Sequence, residues 1–196
     1  MRLSKLLLFG GIILTGGLIG GGIYLSFHRW HQPNSSTVSA PVSPEEKMTL
    51  KVYFANQKLN STHNCSVVYA VEREVPKTLA VAGAALGQLF TGPTADEKAQ
   101  GYTSFFSEET RSLLKKIIII DGIAYVDLND PRSLIPNAST SCGSAEFLAE
   151  IKNTLKQFPT IKEVVLAING QPQTFYEWLQ LDCPPVSNHC DPAPFR

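Results

Sequence analysis

Residues 6–27, LLLFGGIILTGGLIGGGIYLSF, form an uninterrupted uncharged run of 22 residues. As a helix the run spans roughly 33 Å, the thickness of a bilayer core. Arg2, Lys5 and the amino terminus precede it, and Arg29 follows closely. This bias places residues 1–5 in the cytoplasm and everything beyond residue 28 outside it. A cleavable leader has an apolar core of about 7–15 residues, shorter than this one. The expectation is an uncleaved single-pass anchor over 6–27. Gly16/Gly20 and Gly17/Gly21 carry the small-xxx-small spacing that lets membrane helices approach, so self-association is one possible use of the segment.

Residues 28–47 carry no apolar periodicity and many Pro and Ser, the composition of a flexible stalk. His28 and His31 stand three apart without further ligands, and Trp30 suits a membrane interface. Residues 48–182 read as one folded domain and 183–196 as a Pro-rich tail bearing Cys183 and Cys190. Lys plus Arg equals Asp plus Glu, 17 each, which leaves no electrostatic footprint for nucleic acid.

Within the domain, TLKVYF alternates, with Leu50, Val52 and Phe54 on one face, and SVVYAV continues the β pattern through Val67, Tyr69 and Val71. KTLAVAGAALGQLF has helical spacing at Leu79, Ala82, Leu86, Leu89 and Phe90, with Thr78 as N-cap. Gly83 and Gly87 would let this helix lie close to the sheet. KKIIII-DG-IAYVDL is a hairpin around Asp121-Gly122, the dipeptide that a type I′ turn prefers. Four successive isoleucines imply a strand covered on both faces, or on one face with a protected edge. SAEFLAEIKNTLKQF is a second helix, striped by Phe147, Leu148, Ile151, Leu155 and Phe158, and EVVLAI is a fifth strand ended by Asn169-Gly170. The order ββα-ββα-β predicts an α+β class: one mixed sheet, two helices on one face, preceded by the transmembrane helix.

The stretch GQLFTGPT matches the phosphate-loop pattern except at the lysine, where Pro93 removes both charge and donor. Gly92 reads instead as the left-handed residue closing a helix, with Pro93 the stop behind it and ADEKAQGYTSFF a loop. Loops on rigid scaffolds often bind, so Gly92, Pro93, Thr94 and Tyr102 are candidate surface residues. FYEWLQ adds Tyr176 and Trp178, either of which would stack on a sugar or an apolar partner if partly exposed, while Phe175 belongs to the core. No G-x-S-x-G or H-E-x-x-H motif occurs, and adjacent Glu108 and Glu109 diverge, so no catalytic residues are assigned. Asp127 and Asp130 suit turn capping at the hairpin end.

Cys65, Cys142, Cys183 and Cys190 are an even set beyond the anchor, where disulfides are the default. Three pairings are open. A local Cys183–Cys190 bond is natural and leaves Cys65 with Cys142. A zinc site from these cysteines with His63 and His189 lacks any C-x-x-C pair. No metal or cofactor is expected.

LFTGPTADEKAQGYTSFF, IIIIDGIAYVDLND and TLKQFPTIKEVVLAING resemble successive blocks of the GerMN domain of bacterial sporulation and spore-germination proteins, from about residue 49 to 170. NCSVVYAVEREVP and STSCGSAEFL resemble its disulfide-bearing extracytoplasmic branch, which implies a Cys65–Cys142 bond. The resemblance implies a compact α+β domain similar to the ring-building modules of sporulation complexes. It implies no catalysis, and a role in envelope assembly through protein or wall partners. The family's namesake is a lipoprotein with two copies of the domain; this chain has one copy and an apolar helix. The expected function is a membrane-anchored, extracytoplasmic, non-catalytic binding or scaffold module. Its partner would be an envelope protein or a further copy of itself. The alternatives are a peptidoglycan-binding module and a wall-modifying enzyme.

Overall fold

The computed structural model describes residues 46–186 and 190–196. The proposed anchor, and all of the stalk but its last two residues, lie outside the described residues; among the described ones no helix is long and apolar enough to cross a membrane.

Strands β1 (Lys47–Asn56) and β2 (Tyr69–Pro76) pair antiparallel from Lys47↔Pro76 to Phe54↔Tyr69. Leu50, Val52 and Phe54 are buried as their alternation requires. The second strand starts later than its composition suggests, so Val67 precedes it. Helix α1 (Val81–Phe90) follows, then α2 (Ala95–Ala99) and the two-residue strand β3 (Tyr102–Thr103), which pairs with Ala55 and Asn56. Strands β4 (Leu114–Ile120) and β5 (Ile123–Leu128) form the expected hairpin, with Asp121 at φ 50° and Gly122 at φ 81°, the doubly positive turn that Asp-Gly favours. Helix α3 (Ser141–Lys156) provides the crossover to β6 (Glu163–Ile168), which lies parallel to β5. Helix α4 (Pro172–Trp178) opens on a proline, whose missing N–H costs nothing at that position.

The expected single sheet is two: β2-β1-β3 and β4-β5-β6. The two helices expected in the domain are four among the described residues. The sheets divide because side chains of α3 occupy the edge of β1 along which a further strand would have joined. Lys51 N–H donates to Gln157 Oε1 (2.8 Å), Tyr53 N–H to Thr154 Oγ1 (3.1 Å) and Ala55 N–H to Glu150 Oε1 (3.2 Å). Gln157 Nε2 returns a bond to Lys51 C=O.

Helix α1 starts later than expected. Thr78 Oγ1 accepts from Ala80 N–H, a short hydroxyl turn rather than an N-cap, and Leu79 is wholly exposed instead of lying on the apolar stripe. A Cβ at Gly83 would make ordinary contact with Ile117, and one at Gly87 would meet nothing within 4 Å, so neither glycine is required for close packing. ADEKA is helical rather than loop. Thr94 Oγ1 accepts from Glu97 N–H while Glu97 Oε2 accepts from Thr94 N–H, a reciprocal capping box.

The core joins both sheets through aromatic rings. Phe90, Phe106, Phe147 and Phe175 follow one another at centroid spacings of 4.8, 5.2 and 6.1 Å. In α3, Phe147, Ile151 and Leu155 are fully buried and Leu148 is half-buried at the margin; Phe158, expected on the same stripe, lies past the helix end and is half-buried.

Candidate functional site

The turn at residues 92–94 is a structural clip. Gly92 has φ 74°, its N–H donates to Leu89 C=O, and a Cβ there would strike the Phe106 carbonyl, so only glycine fits. Arg73 on β2 reaches across to it. One Nη2 donates both to Gly92 C=O (3.2 Å) and to Glu97 Oε2 (2.6 Å), and the guanidinium lies 5.9 Å from the centre of the Phe54 ring. Side chains Arg73 and Glu97 are only 12% and 13% exposed, so this pair is largely desolvated and is held by the capping box as well. Pro93 is buried, Thr94 is exposed but committed to its cap, and Tyr102 is half-buried on β3. Tyr176 and Trp178 belong to α4. Tyr176 is not partly exposed as expected: its ring is buried, its Oη accepts from Leu166 N–H at 3.3 Å, and burial pushes its pKa to about 12. Trp178 is half-buried, edge-on to Phe147 and Phe175.

Two disulfides brace the domain. Cys65–Cys142 ties the loop after β1 to the start of α3, and Cys183–Cys190 closes the tail. Gly143, next to Cys142, has no room for a side chain beside the Asn137 carbonyl. A cleft of about 170 Å³ beside the first bond is lined by Asn56, His63 and Glu146. Burial raises the Glu146 carboxyl above its ordinary value. One turn along α3, Glu150 is wholly buried. Its Oε1 accepts from Ala55 and its Oε2 from Ser104 Oγ at 2.6 Å; burial raises its pKa well above the ordinary carboxylate range. Both sulfurs of each pair are bonded, and the buried Glu150 carboxyl is taken up by Ala55 N–H and Ser104 Oγ, so neither place presents a nucleophile. Glu108 is exposed and pairs with Arg111. Asp130 is held below its usual range by Arg132, and Asp127 accepts from Gly170 N–H, the turn-holding roles the sequence suggests.

Part of the open surface is apolar. Leu79 is fully exposed, and Ile119 and Ile120 are 45% and 46% exposed. Leu79, Ala80, Gly83, Ile117 and Ile119 line a shallow groove of about 170 Å³ between the start of α1 and β4. The four isoleucines are therefore neither covered on both faces nor protected at their edge: β4 is the outermost strand of its sheet. The signal for this surface was the IIII run itself, misread because such runs usually mark interior strands.

The family model Germane, described as sporulation and spore germination, matches residues 51–174. The spore germination protein GerM of Bacillus subtilis (strain 168) is 29% identical over 162 residues, 76% of this chain and 43% of that protein. The chain thus spans less than half the length of that relative. Among solved structures, the tandem GerMN domains of the sporulation protein GerM from Bacillus subtilis give a TM-score of 0.47 at 22% identity, over 64% of this chain and 40% of that one. The first GerMN domain of the same protein gives 0.41 at 21% identity, over 63% and 84%.

Proposed function

The chain belongs to the Germane family of sporulation and spore germination proteins, and from that premise we propose that it is a membrane-tethered, non-catalytic module of the cell envelope. It holds its partner by protein–protein contact outside the cytoplasm. The observation that carries this reading is the apolar groove formed by Leu79, Ile117 and Ile119 on a domain braced by two disulfides. A rigid frame with an exposed apolar patch suits binding, in which little conformational entropy is lost on association. The apolar run at 6–27 and the disulfides support a location beyond the membrane.

The test has three arms. A reporter fused after Arg196 should be active only in its exported form. A photo-reactive residue at position 79 should yield a protein adduct in intact cells. Purified sacculi should retain the protein no better than a protein of unrelated fold. Retention on sacculi, with no adduct at position 79, would replace this reading with a peptidoglycan-binding one. Turnover of wall fragments that is lost on Glu108→Gln or Glu109→Gln would replace it with an enzyme.

A further inference from the structure

We propose that Lys115, Asp127 and Asn169 form a self-crosslinking site, at which the Lys115 amine condenses with the Asn169 side-chain amide to an isopeptide bond while Asp127 carries the proton. The inference is independent of the binding role and concerns one reaction of the chain on itself, not turnover.

The sheet β4-β5-β6 brings the three groups together from its three strands. Asp127 stands in the middle, on β5, in register with Lys116 of β4 and Ala167 of β6. Beside it, β4 carries the bulge between Leu114 and Lys116, which takes Lys115 out of the ladder. A bulge re-aims a side chain, and this one turns Lys115 onto the Asp127 face. Lys115 Nζ lies 3.3 Å from Asp127 Oδ2 and donates to Asn169 Oδ1 at 3.4 Å. Asn169 directly follows β6. Its φ is 52° and its N–H donates to Leu128 C=O (2.9 Å), so its backbone is fixed beside the end of β5. Asp127 is fixed as well: Oδ1 accepts from Gly170 N–H at 2.6 Å, which leaves Oδ2 for Lys115.

An amine, an amide and a carboxylate held together are the complete set for transamidation. The free Lys115 amine attacks Asn169 Cγ with its lone pair. Asp127 Oδ2 takes one amine proton and delivers it to the departing Asn169 nitrogen, which leaves as ammonia. The Cγ–Nζ bond forms as the Cγ–Nδ2 bond breaks, and the balance needs no further reactant. A base in contact with the nucleophile activates it, and fixed neighbours replace collision. The Asp127 side chain is only 4% exposed, so it trades protons with Lys115 rather than with bulk water, while Lys115, 46% exposed, leaves ammonia a way out. At an Asn-Gly pair the usual competitor is attack by the glycine nitrogen on the same carbon, but the Gly170 N–H is tied to Asp127. The product joins β4 to the end of β6 across 54 residues, a brace that reductant cannot open, unlike the two disulfides.

The full chain, purified from its native membrane, is reduced, digested with trypsin and read by mass spectrometry. The expected product is two peptides joined through Lys115 and Asn169, lighter than their sum by one ammonia and uncut after Lys115. Because only the free amine attacks, the joined fraction should grow faster at about pH 9 than at about pH 7. Lys115→Arg, which keeps the charge, should abolish joining. Asp127→Asn, which keeps an acceptor for Gly170 N–H, should slow it by about 100-fold. Both native disulfides, read before reduction, verify that each variant is folded. A wild-type chain that stays unjoined after prolonged incubation at either pH overturns the proposal, as does joining that Asp127→Asn leaves undiminished. Loss of ammonia with no joined peptides, and cleavage by hydroxylamine between residues 169 and 170, would mark a succinimide instead and overturns it too.

Discussion

Two strand edges in this domain meet opposite fates. The edge of β1 that faces α3 has its alternate N–H groups taken by Gln157, Thr154 and Glu150 at 2.8–3.2 Å. The edge of β4 offers Ile117 and Ile119 to solvent. Both are strand edges, and both carry the same unpaired backbone chemistry. The difference lies in what the chain sets beside them. Glu146, Glu150, Thr154 and Gln157 recur at helical spacing on one side of α3, so one helix supplies acceptors at intervals that meet successive outward N–H groups of a strand. Beside β4, the start of α1 and the two residues before it supply only Leu79, Ala80, Val81, Ala82 and Gly83. A helix with a polar row seals a strand edge; an apolar helix end beside an edge leaves its backbone groups open.

The strongest way to break the sealed edge is to release α3. Cys65–Cys142 joins the loop leaving β1 to the first turn of α3, closing a separation of 77 residues. A Cys65→Ala/Cys142→Ala double variant should lose about 4 kcal/mol in the chain-entropy account. Urea unfolding monitored by tryptophan fluorescence would measure it. A loss under about 1 kcal/mol would mean that the side-chain bonds alone hold the helix on the strand.

Next in size is Glu150. Glu150→Leu strands the Ala55 N–H and Ser104 Oγ, and should cost about 2–3 kcal/mol. Glu150→Gln keeps the shape and should cost less. The pH dependence separates charge from shape. Burial raises the Glu150 carboxyl well above its ordinary value, with Glu146 one turn away adding repulsion and Ser104 and Ala55 opposing. The folded protein thus binds this proton more tightly than the unfolded chain does. The contribution is complete below the ordinary carboxylate pKa of about 4.3 and is lost as pH rises through the folded value. Native protein should therefore lose stability relative to Glu150→Gln as pH is raised from about 4, in paired urea midpoints. The opposite slope would mean that the carboxylate is held ionised.

The sealed edge was the part of the fold least legible in the sequence, and the reason is physical. A row such as Glu146, Glu150, Thr154 on an otherwise apolar-striped helix carries the same pattern as a solvated face. Its partners on β1 lie 95–106 residues away, where no local rule reaches. The Asp121-Gly122 hairpin, the stripe of Phe147, Ile151 and Leu155, and the left-handed Gly92 were legible because a turn or a helix period encodes them locally. Helix α2 was legible too: Thr94-Ala-Asp-Glu97 is a capping-box signature. The helix stop at Gly92-Pro93 directly before it favours the loop reading instead. Of the proposed surface residues, Gly92 and Pro93 proved to be buried beside Arg73, and Tyr176 buried under β6, since a Gly-Pro pair or an aromatic reads alike whether it faces solvent or core. The apolar face at β4 was written in the four isoleucines, but burial of a strand depends on its place in the sheet order, which composition does not encode.

A smaller effect sharpens the comparison within the sealed edge. Thr154 is fully buried and gives one hydroxyl to Tyr53 N–H. Thr154→Val keeps the volume and removes the acceptor, which should cost about 1–2 kcal/mol, and amide exchange at Tyr53 should quicken accordingly. Gln157→Ala, nearer the solvent, should cost less.

The smallest effect belongs to the open edge. Ile119 has no polar partner to strand, and nearly half of its surface is already in water, so Ile119→Thr should change the stability of the monomer by no more than about 0.5 kcal/mol. The measurement has to be made at concentrations dilute enough that only monomer is present, because any partner bound at this edge adds its own stabilisation to the native state. Repeating the urea titration at rising protein concentration then separates two causes of one number. If Ile119→Thr is neutral when dilute and increasingly costly when concentrated, the isoleucine serves an interface and not the fold. If it costs as much as Thr154→Val at every concentration, β4 is packed in solution as tightly as β1 is, and the two edges do not differ in kind.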